Sequence, residues 1–186
     1  MSKKGRLIVI TGPSGVGKTT LIKKLLNNYK NDIIFSISYT SRSARKDEAN
    51  GIDYYFISKK EFENRIKDNR FLEYALVHDN YYGTDKNQVE EVLLSGKDCI
   101  LDIDVQGGLN LMSKNINAIY IFIAPPSITI LRERLLKRYT DTIDVIEKRV
   151  MNAEEELKEK DNYHYIILND NIDKAYNELK TIIFNK

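Results

Sequence analysis

The sequence predicts an α/β fold, a three-layer sandwich in which helices cover both faces of a central parallel sheet. Three observations predict it. Residues 6–11, RLIVIT, form a continuous β-branched run without alternation, as in a strand covered on both faces. CILDIDV from Cys99 and AIYIFIA from Ala118 repeat that character, and YHYIILND from Tyr163 is a fourth candidate. Helical patterns fall between these runs, and strand alternating with helix is the signature of a parallel sheet with crossover helices.

The elements follow in order. TTLIKKLLNNY after the first run, SITILRERLLKRY after the third, then DVIEKRVMNAEEELKEK and DKAYNELKTIIF all place apolar residues at helical spacing. Residues 34–94 break the rhythm with short aromatic-rich strands, DYYFIS and FLEYALVHDNYYGT, around the helix KKEFENRIKDN. One domain over 1–186 is expected, with a core of about 1–35 and 96–186, an inserted lobe of about 36–95 and a helical lid of about 132–150. The charged run EEELKEK reads as a solvated helix face.

Composition narrows the function. Among 186 residues, 42% hydrophobic content supports a single core, and 29 basic against 27 acidic residues give a net charge of only +2. Such a balance offers no general footprint for nucleic acid or an anionic membrane, so any basic site is local. Cys99, the only cysteine, lies in an apolar run and reads as a buried thiol. The apolar run near the N-terminus is short and leads into a glycine-rich turn, unlike a signal peptide or a membrane span, and a cytoplasmic protein is expected.

Directly after RLIVIT comes GPSGVGKTT, in which Gly12, Gly17, Lys18 and Thr19 satisfy the pattern G-x-x-x-x-G-K-[ST]. A strand-to-helix turn alone has no need of a lysine just inside the helix. Glycines let successive N–H groups converge on an anion, and the helix N-terminus adds its partial positive charge. Lys18 reaches the β- and γ-phosphates, and Thr19 can ligate Mg²⁺. The expected contacts to a nucleoside triphosphate are Ser14, Gly15, Gly17, Lys18, Thr19 and Thr20.

Three further features choose among such proteins. Asp102 and Asp104 lie two apart at the end of an apolar strand, where α/β proteins bind ligands. Either could orient Mg²⁺ or its waters, and the alternative is that they cap the helix beginning near Gln106. Arg134, Arg138 and Arg149 flank a helix break at YTDT; solvated helix faces would explain them, but beside a phosphate loop they suggest a lid closing on the transferring group. In SISYTSRSARKDEANGIDYYF, Arg42 and Arg45 supply forked cations that match phosphate, with hydroxyls from Tyr54 and Tyr82. Glu73 can accept from both N1–H and N2–H of guanine and would repel adenine N1.

These motifs resemble the guanylate kinase family over nearly the whole chain: GPSGVGKTT its phosphate loop, the Arg42 stretch its GMP-binding loop, with NYYGT, ILDIDVQG, FIAPPS and LND in their places. The resemblance implies a P-loop enzyme performing Mg²⁺-dependent phosphoryl transfer from ATP to GMP or dGMP, giving ADP and GDP. It further implies a core, lid and GMP-binding lobe that close over the substrates, a role in purine salvage and GTP supply, and a monomer or homodimer. Carried over, Ser38, Glu73 and Thr84 read guanine, and Arg42, Arg45, Tyr54 and Tyr82 hold the GMP phosphate, with Asp104 also on that side. Lys18, Arg45, Arg138 and Arg149 act on the transferring group, Asn169 and Asp170 lie by adenine, and Thr19 and Asp102 serve the metal, directly or through water. Tyr39, Ser41, Asp47 and Tyr139 depart from the usual pattern, and Tyr139 narrows the conformations of a lid hinge. The rivals are a scaffold domain that keeps this fold without catalysis, a kinase for another nucleotide, and a GTP-hydrolysing switch.

Overall fold

Leu7–Thr11 (β1) is buried at every position, as an unalternating β-branched run requires. The computed structural model describes residues 4–77, 79–137 and 142–184. After β1 come α1 (Lys18–Tyr29), β2 (Ile33–Phe35), β3 (Tyr39–Thr40), β4 (Tyr55–Phe56), α2 (Lys59–Lys67), β5 (Phe71–Val77) and β6 (Asn80–Asp85). Then follow α3 (Lys86–Leu94), β7 (Asp98–Asp102), α4 (Val105–Ser113), β8 (Ile119–Ala124), α5 (Ile128–Leu136), α6 (Ile143–Lys158), β9 (Tyr165–Leu168) and α7 (Ile172–Phe184). The central sheet is parallel, in the order β2-β7-β1-β8-β9. A second sheet runs β4-β3-β6-β5, with β3 antiparallel to β6 and β5 antiparallel to β6.

The chain divides into two compact units. One comprises the described residues of Met1–Ile8, Asn31–Leu101 and Leu109–Ala118. Its second sheet packs around Phe62, which is fully buried and stacks on Phe71 at 4.3 Å and Tyr81 at 5.1 Å between ring centres. Ser58 caps α2 by accepting from the Glu61 N–H, and Asp85 caps α3 by accepting from the N–H groups of Asn87 and Gln88. Tyr39, unusual by sequence, stacks on Tyr55 at 4.7 Å with the Arg65 guanidinium 4.5 Å from its ring centre. Ser41 accepts the Tyr81 N–H at 2.8 Å, so both unusual residues brace this sheet.

The other unit comprises Val9–Lys30, Asp102–Gly108 and the described residues of Ile119–Lys186. Ile121, Phe122 and Ile123 are fully buried, and α1 meets α7 through the Tyr29 and Phe184 rings, 4.1 Å apart. Ser127 caps α5 by accepting from the Ile130 N–H at 3.2 Å. β9 differs from the other core strands: Ile167 is buried while Tyr165, Ile166 and Leu168 are exposed. It lies at the sheet edge, where a strand has only one neighbour to cover it. Among the described residues, no helix is long and apolar enough to cross a membrane.

Three details depart from the sequence reading. FLEYALVHDNYYGT is a hairpin, β5 and β6 joined beside Asp79, whose φ of 65° lies in the left-handed region that aspartate tolerates. Lys86–Leu94 is a helix, α3, that begins with no loop after β6 because Asp85 ends the strand and caps the helix. The strand containing Asp102 stops at that residue, and Asp104 lies just before α4 instead.

Candidate active site

The loop after β1 is shaped by glycine. Gly12 has φ 138°, and a Cβ there would lie 2.2 Å from the Ile123 carbonyl oxygen, so β8 approaches too closely for any side chain. Gly17, at φ 101°, is the N-cap of α1 and supplies no capping side chain; the first turn also lacks an acidic residue. That helix end presents its N–H groups and partial positive charge with no side chain of its own to satisfy them. Ser14, Thr19 and Thr20 are exposed on this loop and first turn, and Gly15 is half-buried.

Lys18 folds over the loop. Its Nζ donates to the Gly12 carbonyl at 2.6 Å and the Pro13 carbonyl at 3.4 Å, and lies 4.0 Å from Asp102 Oδ1. Burial pushes the Asp102 carboxyl above its ordinary range, opposed by the Lys18 charge. Asp104 is also pushed up by burial, opposed by the Gly107 N–H, which donates to it at 2.6 Å, and by Lys18. Of the two carboxylates, Asp104 does the capping that was the alternative for the pair. Glu156, which the sequence reading did not single out, is pushed up by burial and feels both Lys18 and Asp104.

Asn169 is buried under the loop and donates from Nδ2 to the Val16 carbonyl at 2.7 Å. Arg134 joins it, donating from Nη2 to the Asn169 carbonyl at 2.8 Å. Asp170 is exposed and accepts the Asn171 N–H at 2.6 Å. Arg149 is half-buried on α6. Arg138 and Tyr139 lie outside the described residues.

The other unit holds the residues expected at the acceptor except Asp104, which lies in the unit of the glycine loop. Glu73 and Thr84 face one another across β5 and β6, and the Thr84 hydroxyl donates to Glu73 Oε1 at 2.6 Å in a buried pair. Ser38 is half-buried, its carbonyl accepting from the Tyr55 N–H at 2.9 Å. Arg42 donates from Nε to the Tyr82 hydroxyl at 3.2 Å, and its guanidinium lies 5.5 Å from the Tyr54 ring centre. Thus Arg42, Tyr54 and Tyr82 are brought together. Arg45 has a side chain 69% exposed, 3.9 Å from Glu48.

Glu48 is the residue missed. Its carboxylate takes two bonds from Arg42, Nη1 to Oε2 and Nη2 to Oε1, each 2.9 Å, and a third from the Arg45 N–H at 2.8 Å. The Arg42 bond holds its carboxyl below the usual range. An acidic residue within an arginine-rich loop was the available signal.

The fold and the loop define an α/β protein whose first strand and helix are joined by a glycine-shaped turn with a lysine folded over it. A family model described as guanylate kinase matches residues 4–186. The chain is 47% identical to the guanylate kinase of Clostridium tetani over 181 residues, covering 97% of this chain and 86% of that one. It is 45% identical to the guanylate kinase of Mycoplasma genitalium over 187 residues, covering 100% and 78%. A crystal structure of guanylate kinase from Anaplasma phagocytophilum superposes with a TM-score of 0.78 at 31% identity, covering 97% of this chain and 85% of that one. The SH3-kinase fragment of tight junction protein 3 shares the fold alone, at 15% identity and a TM-score of 0.53, with 97% and 56% covered. The chain belongs to the guanylate kinase family and is an enzyme, a kinase among the transferases.

Proposed function

We propose that this enzyme transfers the γ-phosphoryl group of ATP to GMP or dGMP, giving ADP and GDP, in purine salvage and GTP supply. The observation that carries the reading is the glycine-shaped loop with Lys18 folded over it and an α1 N-terminus that has no side-chain cap. A triphosphate would replace the Gly12 carbonyl as the partner of Lys18, and the loop N–H groups would hold its β- and γ-oxygens. Ser14, Gly15, Gly17, Thr19 and Thr20 complete that contact, with Asn169 and Asp170 on the adenine side.

On the acceptor side, Arg42, Arg45, Tyr54 and Tyr82 bind the GMP phosphate, and Glu73, Thr84 and Ser38 read guanine. Guanine offers N1–H and N2–H donors to a carboxylate, where adenine N1 offers an acceptor. Asp104, which also caps α4 by accepting the Gly107 N–H, is assigned to GMP as well. Arg45, Arg138 and Arg149 spread the charge that develops on the transferring group, which is the main work a protein does in this reaction.

The donor set fits Mg²⁺. The Thr19 hydroxyl and Asp102 carboxylate are hard oxygen ligands, and among the described residues no group of three or more His, Cys, Asp or Glu could hold a metal alone. A cation held by these two oxygens would share the rest of its shell with substrate phosphates and water. Bound there, it would neutralise charge on the β- and γ-oxygens.

Within this reading, 36–95 serve as the GMP-binding lobe and 132–150 as the lid on a core of 1–35 and 96–186. The enzyme works in the cytoplasm as a monomer or homodimer. A coupled assay of ADP formation from ATP and Mg²⁺, with GMP, AMP, dTMP or UMP as acceptor, tests the proposal. GMP-dependent turnover is expected; ADP formation indifferent to GMP, or favouring another acceptor, overturns it.

A further inference from the structure

The Val16 carbonyl, next to the lysine end of the phosphate loop, is held by side chains from two distant parts of the chain. Asn169 Nδ2 donates to it at 2.7 Å in a buried bond, and Arg134 Nη1 reaches the same oxygen at 3.5 Å. Asn169 is itself fixed twice: its N–H donates to the Ala124 carbonyl at 2.8 Å, and its carbonyl accepts Arg134 Nη2 at 2.8 Å. A Cβ on Gly17 would lie 2.5 Å from Asn169 Nδ2, so the carboxamide sits directly against the loop backbone.

We propose that Asn169 and Arg134 are positioning residues for the phosphate loop, holding the Val16 carbonyl outward so that the Gly17 N–H turns toward the triphosphate. In a planar trans peptide, a carbonyl and the N–H of the next residue point in opposite directions, so an oxygen tied to Asn169 sends the Gly17 N–H the other way. A carbonyl turned inward would set partial negative charge against a polyanion, whereas anion nests are lined by N–H groups. Asn169 offers the donor, and Arg134 fixes the backbone that carries Asn169. Their effect therefore falls on the phosphates and is independent of the base. The inference rests on the reading of this loop as the triphosphate site.

Calorimetric titration separates this role from base recognition. Wild type, Asn169→Asp, Asn169→Ala and Arg134→Met would be titrated with ATP, CTP and inorganic tripolyphosphate, and the KM for GMP measured alongside. Asn169→Asp keeps the shape but replaces the donor by an acceptor facing the Val16 oxygen. All ligands that bind the wild type should weaken by a similar factor, about tenfold or more, with the KM for GMP little changed. Arg134→Met should show the same pattern more weakly. Loss confined to ATP would make Asn169 a base reader only and overturn the proposal, as would unchanged binding or a proportional rise in the KM for GMP. If Asn169→Asp does not fold, Asn169→Ala and Arg134→Met carry the same comparison. A wild type that binds these ligands but forms no ADP with GMP would sink the proposed function while leaving the loop assignment to stand on the titrations.

Discussion

Thr84 donates its hydroxyl hydrogen to Glu73 at 2.6 Å, and both side chains are buried, with relative exposures of 0% and 3%. A buried carboxylate held this way has a fixed orientation. If it reads the base as proposed, the preference is set by which base can donate to it.

AMP should be a poorer acceptor than GMP by roughly three orders of magnitude or more, because a site built on hydrogen bonds rejects a partner that leaves them unmade. Glu73→Gln should narrow that gap chiefly by impairing GMP. Thr84→Val should cost about 1–3 kcal/mol in a denaturant titration, since a buried oxygen loses its donor. kcat/KM for both nucleotides in wild type and Glu73→Gln checks the first point, and an unchanged GMP value refutes it.

Lys18→Ala should lower turnover by about a hundredfold or more while leaving the fold intact, as expected when a positioned charge on the transferring group is removed. Lys18 also opposes the upward push of burial on Asp102. In the variant that carboxyl should therefore move further up. Turnover close to wild type would take the lysine out of the mechanism.

On the proposed roles, Arg42 and Arg45 should respond differently from Arg149. Glu48→Ala removes the carboxylate that orients Arg42 through two bonds and should raise the KM for GMP about tenfold, the effect of misplacing one charged contact. Arg45→Ala should raise that KM and lower kcat, and Arg149→Ala should mainly lower kcat. Steady-state kinetics with GMP varied makes the comparison; equal, small effects at all three sites contradict it.

Burial pushes the Cys99 thiol up from 9.0 to about 12. The folded value lies above the unfolded one, so the thiol's contribution to stability is complete below pH 9 and is lost as pH rises through about 12. One proton sets a limiting slope of about 1.4 kcal/mol per pH unit. Urea midpoints across that window should fall more steeply for wild type than for Cys99→Ala, and iodoacetamide should modify the native thiol slowly at neutral pH. Parallel midpoint curves would show that the thiol does not titrate with unfolding.

Much of the core was legible because parallel strands such as β1 and β8 are covered on both faces, and their apolar runs stand out. The turn between β1 and α1 was legible because its glycines interrupt an apolar run just before a helical pattern. Helix α3 escaped because Asp85 closes a strand and caps a helix in one residue, leaving no loop letters to mark the border. Asp104 shows a second limit. A carboxylate at a strand end looks the same in sequence whether it caps a helix or serves a ligand, and only the Gly107 bond reveals the cap. Glu48 was hidden by its setting, since charge alternation in a polar loop does not say which pair will meet.

The Val16 carbonyl receives its donors from Arg134 and Asn169, 118 and 153 residues further along the chain. During synthesis at roughly 5–20 residues per second, the glycine loop emerges many seconds before the segments that hold it. Contacts this far apart in sequence also form late in refolding, because loop closure must precede them. Nucleotide affinity should therefore appear among the last properties of the nascent chain, and a fragment ending before Asn169 carries the full phosphate motif without the bond that shapes it.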